Sequence, residues 1–116
     1  MTQMELKRRT KRFANRCLDV VEALPKGLTA EILGRQLGRA GTIVGSNYRA
    51  ACRARSKADF IAKMGIVEEE ADECGFWIEM IEERKLLPPS KLSALLQEVS
   101  ELTAIAVASK KTARSS

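Results

Sequence analysis

Arginine is the residue through which this sequence can do chemistry. Arg8, Arg9, Arg12 and Arg16 crowd its first segment, Arg35, Arg39, Arg49 and Arg53 recur through the next, and Arg55 and Lys57 follow closely. A guanidinium presents a planar fork of donors that meets phosphate or carboxylate bidentately. The other functional groups offer less. There is no histidine, so neither a Ser-His nor a Cys-His nucleophile pair can be built, and the Glu-x-x-His signature of carboxylate-bridged di-iron bundles is missing. Glu68, Glu69, Glu70, Asp72 and Glu73 stand almost consecutively. Adjacent helical residues point in different directions, so these acids read as a solvated or cation-pairing face. Cys17 and Cys74 fall on apolar stripes and read as small core fillers. The residues thus point to a non-enzyme without cofactor or metal site.

Charge is segregated along the chain. From Glu68 to Glu83 there are eight acidic residues and no basic one, so the remaining residues carry a net +13 against +5 for the whole. The basic residues concentrate as Lys7, Arg8, Arg9, Lys11, Arg12 and Arg16, and again as Arg49, Arg53, Arg55, Lys57 and Lys63. No zinc finger, aromatic stacking platform or base-reading helix-turn-helix accompanies them, so contact with RNA or DNA would be to backbone phosphate. No apolar run approaches the roughly 18 residues of a membrane span. The polar N-terminus lacks signal-peptide character and the three cysteines are widely spaced, which predicts a cytoplasmic protein with reduced thiols.

Four amphipathic helices must position these groups. Leu6, Phe13, Cys17, Val20, Val21 and Leu24 share one face of a first helix over about 4–24, which Pro25-Lys26-Gly27 ends, the glycine as a left-handed cap. Thr29 is expected to cap a second helix running to about Arg55, with Leu33, Leu37, Ala40, Val44, Tyr48 and Ala51 as its core row. Ser56-Lys57-Ala58-Asp59 has the form of a capping box and predicts a tight turn. A third helix over about 57–84 buries Phe60, Met64, Val67, Ala71, Cys74, Ile78 and Ile81. After Leu87-Pro88-Pro89 a fourth starts at Ser90, with Leu92, Leu95, Leu96, Val99, Leu102 and Ala106 inward. The spacing predicts one all-α domain over residues 1–109, an antiparallel up-down-up-down four-helix bundle, with a frayed polar tail over 110–116.

Two features exceed what a simple bundle needs. Gly34, Gly38, Gly41 and Gly45 lie within about 60° of one another on the helical wheel, although glycine costs a helix about 1 kcal/mol relative to alanine. They form a close-approach stripe, open at this stage to helix packing within the bundle or between subunits. Ile66, Phe76, Trp77 and Met80 project away from the core face of the third helix. Large apolar residues there suggest a subunit contact. Both sets are assigned to an oligomer interface.

The stretch Gln36-Leu37-Gly38-Arg39-Ala40-Gly41-Thr42-Ile43-Val44-Gly45-Ser46-Asn47, followed by Ser56-Lys57-Ala58-Asp59-Phe60 and Ile66-Val67-Glu68-Glu69-Glu70-Ala71, resembles the bacterial "four helix bundle protein" family. That family includes proteins encoded by intervening sequences within large-subunit ribosomal RNA genes. The resemblance implies a left-handed antiparallel bundle assembled into a homopentameric ring, without known enzymatic activity. A related branch, the accessory variability proteins of diversity-generating retroelements, is similar in forming a basic pentameric barrel that binds nucleic acid and a reverse transcriptase. Many relatives continue with Asn-(Ile/Val)-Ala-Glu-Gly where this chain has Asn47-Tyr48-Arg49-Ala50-Ala51. An acid is lost and an arginine gained.

The combined expectation is an oligomeric, non-enzymatic scaffold or accessory factor that contacts phosphate through Arg8, Arg9, Arg12, Arg16, Arg35, Arg39, Arg49, Arg53, Arg55 and Lys57. The alternative is a structural module whose ring binds a protein partner through the same cations. Salt dependence separates them: phosphate binding should weaken log-linearly with salt because counterions are released.

Overall fold

Apolar residues repeating every three to four positions build four helices, and short connections turn each back on the last. The computed structural model describes all 116 residues: α1 (Gln3–Ala23), α2 (Leu28–Ala51), α3 (Lys57–Glu83), a single 3-10 turn (Pro89–Lys91) and α4 (Ser93–Ser115), with no strand. The four-helix bundle measures 47 × 21 × 20 Å. All four helices contribute to one core, in which Phe13, Leu37, Met64, Ile78, Ile81, Leu92 and Leu102 are fully buried. The core rows read from periodicity are the buried rows. Only Val21, Leu24, Phe60 and Leu96 are partly exposed at its edge.

The ends of the helices depart from expectation in instructive ways. Helix α1 stops at Ala23 because Leu24 is extended and Pro25 follows. Gly27 does not cap α1: it stands at the N-cap of α2 with φ +146, a backbone that favours glycine. Thr29 therefore lies inside the first turn of α2 and caps nothing. The Ser56 turn forms as the pattern predicts, Ser56 Oγ accepting from the Asp59 N–H at 3.0 Å. The reciprocal bond goes one residue astray, to the Arg55 N–H at 3.3 Å. Pro89 supports a 3-10 turn where α4 was expected to begin, so α4 starts three residues late at Ser93. The segment over 110–116 is no frayed tail, since α4 continues to Ser115.

The glycine stripe is spent inside the bundle. A Cβ on Gly34 would meet Leu24 and Val21, on Gly38 Leu18, on Gly41 Cys17, and on Gly45 the Thr10 carbonyl oxygen, the Lys11 Cα and the Ala14 Cβ. The contacts run backwards along α1 as they run forwards along α2, the signature of an antiparallel pair. The assignment of Gly34, Gly38, Gly41 and Gly45 to an oligomer interface is thereby corrected: α1 of the same chain covers them. At Gly41 the approach is closest, with an added Cβ only 2.6 Å from the Cys17 Cβ and 2.7 Å from its Sγ.

Gly41→Ala should thus destabilise the fold by about 1–3 kcal/mol through overpacking. Gly65→Ala, where an added Cβ meets nothing within 4 Å, should stabilise it by roughly 0.5–1 kcal/mol through helix propensity. Urea unfolding of the two variants against the parent measures both signs.

Candidate nucleic-acid interface

Close approach of α1 and α2 leaves a shallow trough along their junction, and its lining has one sign of charge. Lys7, Lys11 and Ala14 form the α1 wall, and Thr42, Gly45, Ser46 and Arg49 the α2 wall, around a volume of about 450 Å³. No carboxylate lines it. Lys7, Lys11 and Arg49 are exposed and none belongs to an ion pair. The backbones meet at the floor because Gly45 and Ala14 are small. Thr42 Oγ1 donates to the carbonyls of Gly38 at 2.8 Å and Arg39 at 3.0 Å, and Ser46 Oγ to that of Ile43 at 3.3 Å.

The arginines singled out by type divide into two populations. Arg9 is structural. Its Nε donates to Glu98 Oε2 at 2.8 Å, and its Nη2 to Glu98 Oε1 at 2.7 Å and Glu101 Oε1 at 2.8 Å, tying α1 to α4. The pair is largely shielded, with side-chain exposures of 24% and 14% for Arg9 and Glu98. The Glu98 hydrogen bonds raise the Arg9 pKa further against the opposing effect of burial. Arg39 leans toward Glu70 on α3 at 3.4 Å, and Arg35 pairs with Glu31 one turn away at 2.7 Å, fully at the surface. Lys57 Nζ donates to the Ser116 carbonyl, joining the start of α3 to the end of α4.

Arg12, Arg49, Arg53 and Arg55 are exposed and Arg16 half-buried, none of their guanidiniums in an ion pair, and Arg8 donates only to the Met4 sulfur at 3.1 Å. Helical order through residue 115 adds Lys111 and Arg114 to the end of the bundle where Arg53, Arg55 and Lys57 stand. Lys7, Lys11, Thr42 and Ser46 are functional candidates that a choice by arginine type passed over. Their signal was present in the sequence as i, i+4 pairs flanking small residues, on helices that the glycine stripe would press together.

The acidic helix presents a different surface. Between α3 and α4 a groove of about 690 Å³ is lined by Gly75, Phe76, Leu96, Val99 and Thr103 and rimmed by Asp72 and Glu79. Ile66 and Phe76 are exposed, at 39% and 53%. Trp77 and Met80 are not: both are half-buried against their own core, and the Trp77 indole N–H donates to Glu73 at 3.2 Å. Phe76 meets Trp77 edge to face at 4.9 Å.

Cys17 and Cys74 lie fully buried. A hydrogen bond to Cys17, with burial, raises the Cys74 thiol far above its ordinary value, which keeps it protonated and unreactive. Burial and the Cys52 thiol likewise push the Tyr48 hydroxyl up. No three Cys, Asp or Glu side chains converge in a way that could hold a metal ion, and no helix is long and apolar enough to cross a membrane.

The 23S rRNA-intervening sequence protein family model matches residues 2–108. Among solved structures, the chain is similar to a protein of unknown function from the S23 ribosomal protein family of Bacteroides thetaiotaomicron. The two share 26% identity with a TM-score of 0.88, over 96% of this chain and 99% of that one. No curated protein matches the sequence.

Arg9→Ala should cost about 1–2 kcal/mol, between the ranges for exposed and buried ion pairs, while leaving phosphate affinity within about twofold because the side chain is already occupied. The pH dependence has a definite sign. The Gln97 amide and then Arg9 hold the Glu101 carboxyl below its ordinary 4.5. The stability it contributes is therefore complete above that value and lost as pH falls through the lowered one. In Arg9→Ala the acid limb of a urea-midpoint against pH curve should flatten.

Proposed function

The chain belongs to the 23S rRNA-intervening sequence protein family, and we propose from that premise that it is a non-enzymatic, oligomeric scaffold that binds RNA or other nucleic acid through backbone phosphate. The observation that carries the reading is the trough of Lys7, Lys11, Arg49, Thr42 and Ser46, in which three cations converge with no carboxylate among them. Three like charges held together in a crease of the surface repel one another and gain from an anion between them. Arg8, Arg12, Arg16, Arg53 and Arg55 extend the same field over the adjoining faces. Arg9 is withdrawn from the contact set, and Arg35 and Arg39 join it only by exchanging their carboxylate partners.

Self-association rests on different residues. Ile66 and Phe76 stand exposed on α3, Phe76 beside Asp72 and Glu79, which form no ion pair, and that stripe complements the basic face of a second copy. A heterologous contact between unlike faces closes into a ring when the rotation per subunit allows it. The family resemblance supports a homopentamer of left-handed antiparallel bundles, and free cysteines support a reducing, cytoplasmic setting.

Light-scattering mass coupled to size exclusion, with and without a structured RNA at two salt concentrations, tests both parts. An oligomer should take up RNA at low salt and release it at high salt. Lys7→Glu/Lys11→Glu/Arg49→Glu should lower affinity by about a hundredfold or more, since each lost phosphate contact also removes its counterion release. Phe76→Asp should reduce the mass toward that of one chain. An oligomer indifferent to RNA at every salt would transfer the cations to an acidic protein partner.

A further inference from the structure

Resting on the phosphate-binding reading above, we infer that the trough between α1 and α2 seats the backbone of a double-helical nucleic acid, with successive phosphates of one strand lying along it. Lys7 and Lys11 stand one turn apart on α1, about 6 Å along the axis. Thr42, Ser46 and Arg49 climb the facing wall in steps of the same order. The walls are parallel because the helices run antiparallel and meet backbone to backbone at the floor, where a Cβ on Gly45 would lie 3.2 Å from the Thr10 carbonyl oxygen. A straight trough with cations at intervals takes a linear polyanion along its length. A duplex strand, with one charge per roughly 3.4 Å of axis, presents a phosphate near each cation.

What the trough lacks selects the duplex. Single-strand binders combine a basic track with aromatic side chains on which bases stack. None of this chain's five aromatic residues lies here. Phe13 and Tyr48 are buried, Phe60 packs on the core, and Phe76 and Trp77 stack on each other on α3. The Thr42 and Ser46 hydroxyls already donate to carbonyls of their own helix, which leaves the cations as the groups that meet the ligand. A duplex turns its base faces inward and its phosphates outward, which suits a site made of exposed cations with no stacking platform beside them.

Fluorescence anisotropy on the full chain decides the matter, using a labelled RNA hairpin of about 16 base pairs against an unstructured strand with the same number of phosphates. The hairpin should bind at least about tenfold tighter. In Lys7→Glu/Lys11→Glu that preference should shrink to within about twofold and the log–log salt slope flatten by about 2. Lys26→Glu/Arg84→Glu makes the same charge change at the opposite end of the bundle and should keep the preference. Equal or tighter binding of the single strand would overturn the duplex assignment while leaving phosphate binding intact. A preference surviving in Lys7→Glu/Lys11→Glu would overturn the trough as its seat, and failure of both probes to bind would remove the nucleic-acid reading itself. Circular dichroism verifies helicity, and Lys7→Gln/Lys11→Gln replaces the reversal variant if that one does not fold.

Discussion

The contact on which the rest of this molecule depends is the backbone-to-backbone approach of α1 and α2 along Gly34, Gly38, Gly41 and Gly45. Four glycines in one helix sacrifice helix propensity amounting to several kcal/mol, which a lone helix of this length could not sustain. They are tolerated because what lies over them is tightly matched, with Cys17 above Gly41 and the Thr10 carbonyl and Ala14 methyl above Gly45. Packing at this distance recovers dispersion contacts that side chains would otherwise hold apart. It also sets the depth of α1 in the bundle. Cys17 reaches Cys74 on α3 past Gly41, and Phe13 is buried completely. A trough only two side chains wide then forms between the basic edges of the two helices.

Given that position of α1, electrostatics divides the cations by where their helix face points. Arg9 faces α4, where Glu98 is shielded with it and the exposed Glu101 adds a second bond, and the pair replaces part of the packing that α1 and α4 lack. Lys7 and Lys11, two residues to either side, face α2 and find hydroxyls and Arg49 instead of acids. A bidentate pair at 2.7–2.8 Å is strong because it is shielded and geometrically fixed. The same guanidinium on the outer surface of α1 would be screened by salt and worth little to the fold. Chemically identical residues in one short segment thus serve stability or remain available for an external anion, according to a rotation of about 100° per residue.

Most of the fold was legible because periodicity is a property of local sequence. The buried rows of all four helices, the Ser56 turn and the break at Pro88-Pro89 follow from it directly. The site was legible only in outline. That Arg9 is occupied depends on a partner 89 residues away, and no local pattern states which acid a cation will meet. The glycine stripe announced a close approach but not its partner, since a subunit or a neighbouring helix satisfies the same smooth surface. Trp77 and Met80 looked outward on an ideal wheel and are half-buried, because a side chain beside the core face can lean back over it. Gly27 was recognised as special for its conformation and assigned to the wrong helix, α1 having ended earlier at an extended Leu24.

The separation of charge carries the last step. Of the eight acids between Glu68 and Glu83, Glu68 pairs with Lys110 at 2.6 Å and Glu70 with Arg39 at 3.4 Å, while Glu69, Asp72, Glu79, Glu82 and Glu83 have no cation in reach. Meanwhile Lys7, Lys11, Arg12, Arg49 and Arg53 are in no ion pair. A bundle of this charge content could pair the two populations across neighbouring helices at no cost to its core, because all these positions lie on the surface. Keeping them apart leaves self-repulsion within each patch and a dipolar field across the molecule. That repulsion is relieved only from outside, by phosphate at the basic trough or by an oppositely charged surface against α3. Within one chain the two reliefs use different residues: the trough belongs to α1 and α2, and the exposed Phe76 with its acidic neighbours to α3. Between copies they compete, because the cations that would meet a neighbour's α3 acids are drawn from the same basic surface that would meet phosphate, so a contact through α3 is compatible with phosphate binding only where it spares Lys7, Lys11 and Arg49.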